Sequence, residues 1–316
     1  MRRTILLIIN TILVGLGTAL AGEHSLQGYG LVKVATACMR STPAHSGEMV
    51  SQAVMGTPLR LIGREGSWWL TETPEGYQGY IIGNAIAPKD STAMATWRRS
   101  DRVMYTDHYT GRIVSRDGRG TPVSDIHAGS VLQTIPSKVK DSIDVVLPDG
   151  RSGRLASRSV KHLSDFRHHR LNTQQLVDMA RALMGVSYLW GGTTTAGMDC
   201  SGLVKICYLN QGIILKRDAG EQATTGTPLG DDFREYRQGD LVFFKSATTG
   251  RIVHVGIYDG DGLYIHSSGR VRVNSLDPES TLYIPSNILA SGCRIAGNIN
   301  TDGITLITNS PAYFDL

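Results

Sequence analysis

Cys200 stands between Asp199 and Ser201-Gly202, at the head of a stretch in which Leu203, Val204, Ile206 and Cys207 recur at helical spacing. A thiol at that place meets the free N–H groups and positive end of a helix, which favour the thiolate, the nucleophilic form. A thiolate nucleophile needs a base, and the base needs an orienting group behind it. His254 lies in Ile252-Val253-His254-Val255-Gly256-Ile257-Tyr258, where strict alternation sends it to the face opposite Val253, Val255 and Ile257. His266 ends Leu263-Tyr264-Ile265-His266, and a turn at Asp259-Gly260-Asp261 would set it directly across from His254. Cross-strand partners have Cβ atoms about 4.5–5.5 Å apart, close enough for one imidazole to orient the other. Taken singly, each residue has an ordinary explanation, since cysteines before helices and histidines in strands are commonly packed or hydrogen-bonded structure. The combination points to nucleophilic thiol chemistry. Cys207, two helical turns on among apolar neighbours, reads as packing.

The elements that must position this set form an α+β unit. Thr173 sits where an N-cap belongs, and Leu176, Val177, Ala180, Leu183 and Met184 follow at helical spacing until Gly185. The helix led by Asp199-Cys200-Ser201 comes next. Strand patterns follow at Leu241–Phe244, Ile252–Tyr258, Gly262–His266 and Cys293–Ile299. Upstream the pattern is different: short apolar runs at Leu31–Ala37, Met49–Met55, Leu59–Ile62, Trp68–Thr71 and Tyr80-Ile81-Ile82 read as a small β-barrel. A second barrel follows, with strands at Arg102–Tyr105, Ile113-Val114, Val131-Leu132, Ile143–Leu147 and Gly153–Leu155. Pro74-Glu75-Gly76 and Pro148-Asp149-Gly150 are matching turns, each with a glycine to supply positive φ. The two barrels look like loose copies of one another.

At 316 residues the chain has room for several packed units, and a hydrophobic share of 41% supplies their cores. A net charge of +4 with only 19% charged residues gives no footprint for nucleic acid. Met1-Arg2-Arg3, an apolar stretch to Leu20 and Ala19-Leu20-Ala21 form a secretory signal over residues 1–21, too short and too clearly terminated for a membrane span. The mature protein is therefore expected outside the cytoplasm, periplasmic or extracellular. The four cysteines show no CxxC spacing, and Cys38 and Cys293 are left as a pair that oxidation could join. His162, His168 and His169 lie in a basic linker that repels a cation, so no metal is expected there. Gly191-Gly192 and Gly260-Asp261-Gly262 lack the Lys-Ser/Thr of a phosphate loop, and no cofactor is implied.

Five segments in order, Tyr188-Leu189-Trp190-Gly191-Gly192, Met198-Asp199-Cys200-Ser201-Gly202-Leu203-Val204, Gly239-Asp240-Leu241-Val242-Phe243-Phe244, His254–Tyr258 and Ile265-His266-Ser267, resemble the NlpC/P60 cysteine peptidases of bacterial cell walls. The barrels resemble the bacterial SH3-like domains that accompany them. The resemblance is nearest to the γ-D-glutamyl-L-diamino acid endopeptidases of murein peptides. It implies a papain-like catalytic domain over residues 170–316, behind barrels at 28–90 and 91–165. It also implies Cys200 as nucleophile, His254 as base and His266 as orienting group. The Cys200 N–H and Tyr188 would hold the oxyanion, while Trp190, Asp199 and Ser201 would line the pocket. Asp218, in Arg217-Asp218, would bind the peptide's amino end, although Ala219 stands where relatives carry a serine. From the first barrel, Glu48 would meet the free α-ammonium in a buried pair, with Tyr77, or second Tyr80, hydrogen-bonded beside it.

The implied substrate is a murein peptide such as L-Ala-γ-D-Glu-diamino acid, cut by a monomer during wall turnover or recycling. Two other readings compete with it. One is a hydrolase of intact cross-linked wall that uses the barrels as anchors, and the other is a wall-binding protein without activity.

Overall fold

The computed structural model describes residues 28–168 and 170–315; the signal at 1–21 and His169 lie outside them. Seven antiparallel strands form the first barrel: β1 (Gly28–Val32), β2 (Thr36–Arg40), β3 (Met49–Val54), β4 (Pro58–Glu65), β5 (Trp68–Glu72), β6 (Gln78–Ile82) and β7 (Ile86–Lys89). The run expected as one strand at Leu31–Ala37 is two. The chain turns between them as Gly56 N–H bonds to Val32 O and Lys33 N–H to Ala85 O. Helix α1 (Ser91–Arg99) then leads to the second barrel, where sequence pattern alone placed only barrel residues. Asp90 starts it by accepting from the Ala93 N–H at 2.7 Å.

The second barrel comprises β8 (Arg102–Tyr105), β9 (Gly111–Val114), β10 (Pro122–Ile126), β11 (Val131–Ile135), β12 (Ser142–Val146), β13 (Ser152–Ala156) and β14 (Val160–His162). Its strand order, β10-β9-β13-β12-β11-β8-β14, repeats the order β3-β2-β6-β5-β4-β1-β7 of the first. Gly76 (φ 85°) and Gly150 (φ 90°) occupy the same turn in the two copies.

The third unit, the one expected to be catalytic, begins with α2 (Thr173–Ala182). Its cap is Asn172 and not Thr173, because the Asn172 side chain accepts from the Gln175 N–H while Thr173 already has helical geometry. A short hairpin, β15 (Thr193–Thr194) and β16 (Gly197–Met198), delivers the chain to α3 (Cys200–Asn210), followed by β17 (Ile213–Leu215) and α4 (Ala219–Gln222). The remaining strands are β18 (Thr227–Leu229), β19 (Leu241–Lys245), β20 (Ile252–Gly260), β21 (Leu263–Ser268), β22 (Arg270–Ser275), β23 (Ile288–Arg294) and β24 (Ile304–Leu306). Six of them make one antiparallel sheet in the order β18-β23-β19-β20-β21-β22. The strand expected over Cys293–Ile299 runs earlier, because the chain turns at Ile295, with Asn298 N–H bonded to Ile295 O and Gly297 at φ 87°. Leu203, Val204, Ile206 and Cys207 of α3 pack on Leu241, Phe243, Val255, Ile257 and Ile265 of the sheet. His254 and His266, on alternate positions, take the other face.

The three units share their cores. Met55 of the first barrel is buried among Val103, Ile113, Leu132 and Val145 of the second, and Ala128 of the second joins the catalytic core. Leu31, Met94, Met104, Val131, Phe166, Ile214, Ile307 and Tyr313 form a joint that draws on all three and on the C-terminal segment. Arg102 holds that segment down through Tyr313 O at 2.6 Å. The barrels meet backbone to backbone at Gly56, where Val131 N–H bonds to Met55 O at 3.0 Å. Gly56 has φ 77°, and a Cβ there would fall 1.7 Å from Val131 O. Gly56→Ala should therefore cost about 1–3 kcal/mol from positive φ alone, with the clash added to it. The measurement is the urea unfolding midpoint of the whole chain, and an unchanged midpoint would show that the barrels are not locked at this point.

Candidate active site

Asp199 caps α3 and thereby places Cys200. Its Oδ1 accepts from the Gly202 N–H at 2.7 Å and its Oδ2 from the Gly191 N–H at 3.0 Å. Arg217, fully buried, reaches Asp199 with both Nη atoms (2.6 and 3.2 Å), Ser201 Oγ with Nη1 (2.8 Å) and Ser51 Oγ of β3 with Nε (2.9 Å). Asp199 and Ser201 line the cavity, as the resemblance implied, but their polar atoms are occupied by this network. They form its floor and are not free to bind substrate.

That cavity, about 510 Å³, is lined by Glu48, Val50 and Tyr77 from the first barrel and by Tyr188, Trp190, Asp199, Cys200, Ser201, Asp218, Ile252 and Val253. Trp190 is 61% exposed and its Nε1–H donates to Glu48 Oε1 at 2.8 Å. Glu48 is exposed in the free protein, so the ion pair expected there would be buried only by the ligand that covers it. Tyr77 is raised to about 12 by burial and then by Asp218. Burial likewise raises Asp218, against the pull of Arg217. Tyr80 is elsewhere, with its hydroxyl on Glu65 at 2.6 Å on the outer face of the barrel. Gln52, not singled out in the sequence, fastens β3 to the hairpin before Cys200: its Oε1 accepts from the Thr193 N–H and its carbonyl from Thr193 Oγ1.

The histidines meet, though not in the expected register. The observed pairs Ile257↔Ile265 and Tyr258↔Tyr264 put Gly256 opposite His266, because Asp259 bulges out and the tight turn shifts to Gly260-Asp261-Gly262, all at positive φ. The slip is two residues, so the shared face survives. Gly256 makes the diagonal contact possible, since a Cβ there would come within 3.3 Å of His266 Cβ. His254 Nε2 and His266 Nδ1 are 2.6 Å apart, with the rings edge to face.

Behind them stands Asn274, which the sequence reading passed over. It could have been found by counting across the Gly269 turn, which pairs Asn274 with Tyr264 and Arg272 with His266 on the same face. Asn274 Nδ2 donates to Leu282 O at 2.7 Å, so Oδ1 faces His266 Nε2, also at 2.7 Å. An amide oxygen only accepts, so His266 carries its proton on Nε2 and presents a lone pair at Nδ1. His254 must then donate from Nε2, which leaves its Nδ1 as the basic nitrogen. Replacing Asn274 by Leu removes the acceptor that fixes this order. Its kcat should fall at least about tenfold with KM little changed, as for other residues that orient a catalytic group. A proportional change in KM alone would refute the assignment.

Burial pushes the Cys200 thiol up to about 11, and Asp199 adds to this, while N–H groups of Val255 and Ser201 and the charge of Arg217 pull the other way. The helix N-terminus was expected to favour thiolate; here desolvation outweighs it, and the nearest carboxylate is the helix's own cap. The Val255 amide, one residue beyond His254 on β20, is thus turned toward the Cys200 sulfur. His254 is lowered to about 3 by burial, then by His266 and Arg272, and His266 to about 4 by burial. The resting pair is thus thiol and neutral imidazole. As pH falls, a proton taken by His254 Nδ1 removes the base, and the low pKa delays that loss. A profile of kcat/KM should stay level from pH 8 to about 4 and fall as pH drops toward about 3, whereas an acid limb at the ordinary histidine value of about 6.5 would contradict this.

Cys207 and Cys293 are buried, Cys38 is half-buried, and all four thiols are free, so Cys38 and Cys293 are not joined. His162 and His168 are exposed beside the linker.

Residues 185–286 match the NlpC/P60 family and residues 36–87 the bacterial SH3 domain. The chain carries an NlpC/P60 domain behind a bacterial SH3 domain. It is 28% identical over 249 residues to dipeptidyl-peptidase 6 of Lysinibacillus sphaericus, covering 75% of this chain and 87% of the relative. It is 23% identical over 252 residues to gamma-D-glutamyl-L-lysine dipeptidyl-peptidase of Bacillus cereus, covering 75% and 72%. An NlpC/P60 family protein from Bacillus cereus shares the fold at a TM-score of 0.71 and 20% identity, over 84% of this chain and 99% of that one. The NlpC/P60 domain is papain-like and α+β, and the two relatives are named as dipeptidyl-peptidases.

Proposed function

We propose that the protein is a cysteine endopeptidase that cleaves the γ-D-glutamyl-L-diamino acid bond of murein peptides bearing a free N-terminal L-Ala, in wall turnover or recycling. The observation that carries this is the composition of one cavity. Cys200 shares it with Glu48 and Tyr77 of the first barrel and with Asp218, so one end of the cleft is closed by groups suited to an ammonium. Two relatives bear names for removing dipeptides, one of them at γ-D-glutamyl-L-lysine. A barrel welded across the cleft suits a short released peptide better than a strand of intact wall. The protein would act as a monomer after export and loss of residues 1–21, outside the cytoplasm, and needs no cofactor for the steps below.

In the reaction His254 Nδ1 takes the thiol proton as Cys200 Sγ attacks the γ-carbonyl carbon. The oxyanion forms against the Cys200 N–H and the Tyr188 hydroxyl. Collapse breaks the C–N bond, and the proton on His254 passes to the leaving amine of the diamino acid. Water, deprotonated by the same nitrogen, then cleaves the thioester and frees L-Ala-γ-D-Glu. Glu48 would hold the substrate ammonium through its second oxygen while Trp190 holds the first.

The test is incubation of purified protein with L-Ala-γ-D-Glu-diaminopimelate or the lysine analogue and detection of L-Ala-γ-D-Glu by mass spectrometry. Cys200→Ala should abolish release, and Glu48→Gln or acetylation of the L-Ala amine should lower kcat/KM about ten- to a hundredfold. Undiminished release by Cys200→Ala, or equal cleavage of the acetylated peptide, would overturn the reading.

A further inference from the structure

Arg272 is an exception among the arginines that the fold covers. Arg217 is held by Asp199, Arg154 by Asp144 and Arg294 by Asp240, and Arg102 donates to three backbone carbonyls. Arg272 is half-buried on β22, yet among the described residues no carboxylate lies within ion-pair distance of it. Its Nε is buried without a hydrogen-bond partner, and its Nη2 reaches only Ser268 Oγ, at 3.5 Å. A half-desolvated guanidinium with no anion is costly unless something supplies one.

Its place says what could. Arg272 pairs with His266 in the sheet and so shares the face of the two histidines, close enough for its charge to oppose protonation of both. The hairpin that carries it abuts the cavity wall, because Gly269 O accepts the Tyr188 N–H at 3.0 Å. His254 hands its proton to the leaving amine, so the leaving amino acid must sit on the histidine side of Cys200, which is the side of Arg272. That amino acid carries an α-carboxylate, and diaminopimelate carries a second one on its distal centre.

We infer that Arg272 receives a carboxylate of the leaving diamino acid and makes the enzyme select for it, an inference that rests on the peptidase reading above. The carboxylate would pair with the guanidinium through its Nη donors, of which Nη2 has only the long contact to Ser268 Oγ. It would also cancel the cationic field at the step in which His254 must become imidazolium, so that the charge balance of the site is completed by the substrate.

The experiment measures release of L-Ala-γ-D-Glu from the lysine and diaminopimelate tripeptides, each with free carboxylates, with the α-carboxylate amidated and, for diaminopimelate, with the distal carboxylate amidated. For the wild-type protein, one of these amidations should raise KM about ten- to a hundredfold. The distal amide doing so marks diaminopimelate as the preferred substrate, and the α-amide doing so marks either diamino acid. Arg272→Gln should raise KM on the free acid to the same level and no longer distinguish acid from amide, and Arg272→Lys should recover part of the preference. Wild-type kinetics unmoved by every amidation, or an Arg272→Gln variant that still prefers the acid, would overturn the inference. Should Arg272→Gln not fold, the wild-type series and Arg272→Lys decide it. Absence of release from every peptide would instead overturn the peptidase reading itself.

Discussion

The guanidinium of Arg217, at 1% exposure, lies where the first barrel, the hairpin before α3 and the N-terminus of α3 come together. Its two Nη atoms grip the carboxylate that caps the helix, and its Nε holds Ser51 of β3. A buried ion pair of this kind does little for net stability relative to apolar packing, but losing one partner leaves an uncompensated charge in the interior and costs about 3–5 kcal/mol. Its value is geometric. With Asp199 fixed, the loop at Gly191 and the first turn at Gly202 are fixed, and Cys200 lies between them. With Ser51 fixed, Glu48 and Tyr77 are brought to the same cavity. Cys200 and the Glu48 side of the cavity are therefore tied to the same buried cation, with Gln52 as a second tie between β3 and the hairpin.

Burial is the main reason the thiol rests neutral, and the same network adds to it. Asp199 lies beside Cys200 and opposes thiolate, Arg217 offsets only part of that charge, and burial outweighs the helix N-terminus. In the proposed reaction a neutral imidazole and a neutral thiol still suffice, because the proton moves as the C–S bond forms. What the arrangement requires is the correct tautomer at His254. The chain Leu282 O, Asn274, His266, His254 enforces it through a fixed alternation of donors and acceptors, with His266 in the place a carboxylate takes in other triads.

How much of this the sequence discloses depends on how local the determining signal is. Cys200 at a helix start, the shared face of His254 and His266 and the Pro-Glu-Gly and Pro-Asp-Gly turns are legible, because each rests on a few neighbouring residues. The His254–His266 register is not, because the bulge at Asp259 has no distinctive composition and only the parity of the positions survives it. β10 and β14 escape notice because they are short and little buried, so no apolar alternation marks them. Asn274 lies eight residues from His266 and is reached by counting across the Gly269 turn, whereas the roles of Arg217 and Gln52 depend on contacts with Ser51 and Thr193 across long stretches of chain, which no spacing rule reaches. The anchoring of the C-terminal segment by Arg102 is hidden for the same reason.

The two barrels share a strand order, yet only the first contributes to the cavity, and the difference lies in one strand. β3 and β10 occupy the same edge position. β3 is buried along its second half, where Ser51 and Gln52 bond to Arg217 and Thr193, so its edge is covered by the catalytic unit. β10 is buried only at Ile126, begins with the exposed Pro122, carries a bulge between Pro122 and Ser124 and turns Asp125 outward. Those are the devices by which a solvent-facing edge is kept from pairing with another strand. Without them, an open edge next to a welded joint would invite self-association. One copy of the barrel thus has its edge sealed by the NlpC/P60 domain, and the other has its edge protected by its own sequence, so the edge that is covered decides which barrel lines the cavity.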